Sequence, residues 1–113
     1  MKYLKLVINN EKKEKEVFFN KTELKLILNL YARMVSTGEW KDYGLNIYKK
    51  EVSFNVYQRA SESPTYRITK NLKPNNQNEK YLIKDAKNQI INNSDDLENL
   101  IKKISWKKFK LVN

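Results

Sequence analysis

The spacing of apolar positions changes twice along this 113-residue chain, and each change marks an element. Between Asn20 and Gly38 the apolar residues recur every three or four positions: Leu24, Ile27, Leu28, Tyr31, Met34 and Val35 make one stripe, and Leu26 and Leu30 widen it. This is the pattern of a helix buried on more than one side. Asn20 and Glu23 have the spacing of a capping box, in which each side chain closes the other's backbone N–H, and Phe19 with Leu24 forms a hydrophobic staple. Gly38 supplies the stop, because glycine takes the left-handed conformation needed just past a helix end. The predicted helix covers about residues 21–37.

After Gly38 the period falls to two. Tyr43, Leu45 and Ile47 alternate with Asp42, Gly44 and Asn46, and Lys49 and Lys50 turn the chain. Val52, Phe54 and Val56 then alternate with Ser53, Asn55, Tyr57 and Arg59, which reads as a hairpin with one buried face. A turn over Ser61–Pro64 leads to a third strand, in which Tyr66 and Ile68 are apolar and Thr65, Arg67 and Thr69 polar. A Pro/Asn loop over Lys73–Asn78 precedes two short strands, about 81–84 and 89–92. Helical spacing returns with Leu97, Leu100, Ile101 and Ile104. Ser94 is the expected cap, and Asp95, Asp96 and Glu98 complement the helix dipole.

The expected fold is therefore α+β: an antiparallel meander sheet of about five strands, with helices at about 21–37 and 94–105 packed on one face. Residues 1–113 form one domain in this reading, with a peripheral hairpin over 1–16 and a basic aromatic tail over 106–113. The expected core gathers Leu24, Ile27, Leu28, Tyr31, Tyr43, Leu45, Ile47, Val52, Phe54, Val56, Tyr66, Ile68, Leu97, Ile101 and Ile104.

Composition removes more chemistry than it suggests. The chain has neither Cys nor His, so disulfides, thiol nucleophiles, Cys/His zinc sites and an imidazole base are all excluded. Two glycines cannot build a nucleotide-cradling loop, and neither a cofactor nor a small-molecule ligand is indicated. No apolar run reaches the roughly 20 residues of a membrane span, and a cytoplasmic protein is expected. The net charge of +10 suggests a polyanionic partner. Abundant Lys, Asn and Ile with scarce Arg and Gly is also what an A/T-rich genome produces, so the charge carries only about half of that weight.

The run Val17–Asn20, Glu23-Leu24, Ile27–Tyr31, Arg33–Val35, Gly38–Tyr43, and then Phe54, Arg59, Ser61, Glu62, Pro64 and Tyr66–Ile68, resembles the alphaproteobacterial domain of unknown function 2794 (DUF2794) family. The resemblance extends over about residues 17–104. It implies no activity, ligand or catalytic residue.

Three places could carry function. Ser53, Asn55, Tyr57 and Arg59, with Arg67 on the partner strand, would form a polar sheet face on which a ring stacks bases and guanidiniums grip phosphates, as for RNA or single-stranded DNA. Ordinary solvated sheet is the commoner reading of the same face. Trp106, Lys107 and Lys108 interleave aromatic and basic groups in a tail suited to nucleic acid or an anionic membrane surface, or to solubility alone. Trp40, Glu39 and Asp42, approached by Glu62, form a corner between helix and sheet. That corner is expected to be structural rather than a carboxylate metal site. A non-catalytic nucleic-acid-binding module leads this reading. A protein-interaction domain using the Trp40 corner and the sheet edge is the alternative, and a metal-dependent enzyme built on Glu39 and Asp42 is third.

Overall fold

A computed structural model describes residues 17–59 and 63–104. The expected N-terminal hairpin over 1–16, Glu62, and the tail with Trp106, Lys107 and Lys108 lie outside the described residues. Helix α1 spans Lys21–Ser36, and five strands follow: β1 Asp42–Ile47, β2 Glu51–Tyr57, β3 Tyr66–Asn71, β4 Tyr81–Asp85 and β5 Ile90–Ser94. Helix α2, Leu97–Lys103, comes last. The strands form one antiparallel meander in the order β1-β2-β3-β4-β5. The α+β arrangement is as the spacing predicts.

The expected caps explain where α1 begins and ends. Glu23 N donates to Asn20 Oδ1 at 2.8 Å, and Asn20 N donates to Glu23 Oε1 at 2.7 Å. At the other end Gly38, at φ +83°, turns the chain so that its N–H meets Val35 O and the Glu39 N–H meets Met34 O, both at 3.0 Å. Two carbonyls left open by the last turn are thereby satisfied.

Helix α2 is shorter than expected. Ser94 closes β5 instead of capping the helix, and Asp96 is the cap, with Oδ2 accepting from Asn99 N at 3.0 Å. Ser94 Oγ accepts from Asp96 N and so shapes the two-residue link.

The core lies between the helices and the face of the sheet carrying Val52, Phe54, Val56, Ile68, Tyr81 and Ile83. From α1 it takes Ile27, Leu30 and Met34, and from α2 Leu97 and Leu100. The buried stripe of α1 is thus 23-27-30-34. Leu28 and Val35, expected in or beside the core, are exposed.

The first strand departs furthest from expectation. Tyr43, Leu45 and Ile47 remain 46, 43 and 59 % exposed. Helix α1 lies over β2 to β4, where Tyr31 meets Phe54 and Glu23 reaches Lys70 and Tyr81, while α2 packs on β4 and β5. On the helix-side face of β1, the outer strand, Tyr31 of α1 meets Tyr43, and Leu45 and Ile47 remain open.

Candidate interaction edge and the sites around it

Three regions place the candidate residues. The first is the far face of the sheet, away from the helices. Register puts Ser53 opposite Thr69 and Asn55 opposite Arg67, and strand alternation adds Tyr57 to the same side. Four of the five residues named for a polar face, Ser53, Asn55, Tyr57 and Arg67, therefore share one, and Thr69 lies with them. Arg59 stands two positions past the end of β2 and is exposed. Ser53, Asn55 and Thr69, however, are only 3, 2 and 1 % exposed. Ser53 Oγ donates to Asn55 Oδ1 at 2.5 Å, and the Tyr57 ring lies over Gly44, 3.8 Å from where a Cβ would stand. Lys84 and Glu51 pair at 3.9 Å from strands on either side of β3, a diagonal that the register carries over Thr69. The centre of this face is closed, whereas base stacking needs an open plane.

The second region is the corner after α1. Trp40 is 2 % exposed, tilted against Tyr31 at 6.2 Å and Tyr66 at 6.5 Å between centroids, so it closes this end of the core. Burial pushes the phenols of Tyr66 and Tyr31 up, with Glu39 and Asp85 adding to the first, and Asp42 and Tyr43 to the second. Glu39 and Asp42 thus act on different rings. Asp42 Oδ1 accepts from the Tyr43 N–H at 2.8 Å. Among the described residues no three carboxylates gather in a way that could hold a metal ion.

The third region is the outer edge of β1, whose Tyr43, Leu45 and Ile47 read in the sequence as core while the sheet edge itself reads as the alternative interaction surface. Tyr48 N donates to Glu51 O, so the hairpin's hydrogen-bonded pairs fall on even positions of β1. The backbone N–H and C=O groups of Tyr43, Leu45 and Ile47 therefore face outward, and the side chains of the same residues face the α1 side. Asp42 takes the first of these amides. Tyr31 anchors this flank of α1 through Tyr43 at 5.1 Å, and Tyr43 stacks on Phe54 at 4.9 Å. Leu24, Leu28 and Val35 lie within about 60° of Tyr31 around the helix axis. Leu28 and Val35 are 42 and 41 % exposed. An apolar channel results, floored by β1 and walled by α1.

The opposite edge of the sheet is protected differently. Strand β5 has a register shift beside Ile91, and Asn93 Nδ2 donates to Asn78 O at 2.8 Å, tying the strand to the 3-10 turn Gln77–Glu79. A bulge of this kind blunts an edge, and β1 contains none. A polar depression of about 690 Å³ lies nearby, lined by Asn78, Asn99 and Lys102 among others. Lys103 Nζ bonds Asn93 O at its margin.

Beneath α1 is a polar cluster that the alternation of β3 could have revealed. Lys70 continues the inward series Tyr66, Ile68 and is 0 % exposed. Its Nζ donates to Glu23 Oε1 at 2.8 Å and to Phe18 O at 3.2 Å. Tyr81 donates its hydroxyl to Glu23 Oε2. Burial alone would raise the Glu23 carboxyl, but hydrogen bonds from Lys70, Tyr81 and the Asn20 amide, with the charge of Lys70, hold it below its ordinary value. The capping glutamate is also the counter-ion of a buried lysine.

The model of a family described as a protein of unknown function (DUF2794) matches residues 17–101, from the residue before Phe18 to the middle of α2. The chain belongs to the DUF2794 family. No curated protein and no solved structure matches it. The match to DUF2794 takes in α1, most of α2 and every strand described above, including β1 and its channel. No described helix is long and apolar enough to cross a membrane.

Proposed function

We propose that this DUF2794 domain is a non-catalytic protein-binding module that takes an extended segment of its partner beside β1 as a sixth strand. One observation carries the reading. A six-residue strand with three exposed apolar side chains, and outward amides at Leu45 and Ile47, lies at the sheet edge under a helix wall that is also apolar. Strand addition draws affinity from main-chain hydrogen bonds and selectivity from contacts with alternate side chains, and the outward Leu45 and Ile47 groups beside exposed apolar residues support that reading. The nucleic-acid reading keeps the support of the +10 charge.

Selection from a random dodecapeptide display library, beside a fluorescent oligouridylate, tests the two readings together. Enriched peptides should weaken by about tenfold or more against Leu45→Lys, which sets a charge in the channel, with an unchanged thermal midpoint. They should bind Arg67→Ala as they bind the natural chain. No peptide enrichment, with oligouridylate binding that survives Leu45→Lys and is lost on combining Tyr57→Ala, Arg59→Ala and Arg67→Ala, would replace this reading with nucleic-acid binding.

A further inference from the structure

The channel beside β1 differs in charge from one end to the other. Ile47 is opposite Val52, and Val52 opposite Lys70, whose ammonium meets Glu23 in the first turn of α1. The N-terminal turn of α1 therefore lies at the Ile47 end, and Lys21 and Lys25 come with it. Around the helix axis Lys21 stands at roughly 80° from Tyr31, just beyond the Leu24–Leu28 wall, and Lys25 at roughly 120°, toward the outer side of α1. Lys49 and Lys50, the hairpin turn, close the same end. All four are exposed, and none pairs with a carboxylate among the described residues. The positive end of the α1 dipole adds to them. At the other end the acids Glu39 and Asp42 stand beside the exposed Lys41 and Arg59, so positive charge does not accumulate there, and Asp42 is already on the Tyr43 amide.

We infer that the occupant of this channel is an extended peptide segment with alternating apolar residues and a run of acidic residues at one end, which lies among Lys21, Lys25, Lys49 and Lys50. The inference rests on the strand-addition reading and deepens it by naming the partner's chemistry and its placement. Apolar side chains of the added strand fall between Leu45, Ile47 and Leu28. Its main chain bonds the Leu45 and Ile47 groups. Its carboxylates neutralise the four lysines. A second copy of this chain does not fit as well, because it would bring its own lysines to a like-charged rim.

Two synthetic peptides with one apolar centre, DDEVTITVT and KKKVTITVT, read by fluorescence anisotropy at about 50 mM and about 300 mM salt, provide the test. The acidic peptide should bind at least about tenfold more tightly at low salt, and the gap should narrow at high salt. Joint replacement Lys21→Gln, Lys25→Gln, Lys49→Gln and Lys50→Gln should remove the preference, and Leu45→Lys should weaken both peptides. Equal binding of the two peptides, still lost in Leu45→Lys, would overturn the acidic partner while leaving strand addition standing. Binding that ignores Leu45→Lys, or failure of both peptides to bind, would overturn both.

Discussion

Lys70 is the residue whose position the rest of the fold must accommodate. A lysine buried without a counter-ion would lose its charge or unfold its surroundings, so Glu23 has to be where the capping box places it. Lys70→Met leaves a carboxylate in the core and should cost roughly 3–5 kcal/mol in urea denaturation. Adding Glu23→Gln, which retains a cap and an acceptor for Tyr81, should recover part of that loss, and the coupling is read from the double-mutant cycle. The pH dependence follows from the direction of the Glu23 shift. A carboxyl held below its usual 4.5 stabilises the fold at pH values above that figure, and the contribution is lost as pH falls through the folded value. Urea midpoints followed from pH 7 down to about pH 3 should therefore drop less steeply in Glu23→Gln than in the natural chain.

At the scale of elements, the two glycines separate conformation from space. Gly38 has nothing within 4 Å of where a Cβ would stand but sits at φ +83°, so Gly38→Ala should lower stability by about 1 kcal/mol through backbone strain alone. Gly44 has ordinary strand geometry and a Tyr57 ring at ordinary contact distance. Gly44→Ala should stay within about 0.5 kcal/mol of the natural chain in thermal melts. Local rules such as these make α1, the meander and its turns legible in the sequence, since capping, the left-handed stop and period-two alternation each act within a few residues. Coverage is not legible there. Alternation tells which side of β1 is apolar, but whether Tyr43, Leu45 and Ile47 are buried depends on where α1 lies across the sheet, and that is fixed by the distant contact of Glu23 with Lys70 and Tyr81. The far face is not an open plane for a related reason. Its residues are grouped as expected, but the bridging of Lys84 to Glu51 over Thr69 depends on pairing across three strands. Ser94 satisfies the Asp96 amide from the end of a strand, an arrangement that looks the same in sequence as a helix cap.

For the molecule as a whole, the apolar edge and the +10 charge act in opposition. An unblunted edge strand is a template for any other strand, including that of a second copy. Mutual repulsion between positively charged copies restrains that encounter, and it weakens as the Debye length contracts from about 10 Å at 0.1 M to about 3 Å at 1 M salt. The domain should thus be monomeric in dilute buffer and self-associate as sodium chloride is raised, a trend visible in dynamic light scattering and abolished by Ile47→Lys. A protein that instead stays monodisperse at high salt would show that β1 repels strands by some other means. The uncovered flank of β1 thus carries a practical consequence for anyone purifying the domain: salting it heavily to strip bound polyanions removes the electrostatic guard that keeps one molecule from zipping onto the next.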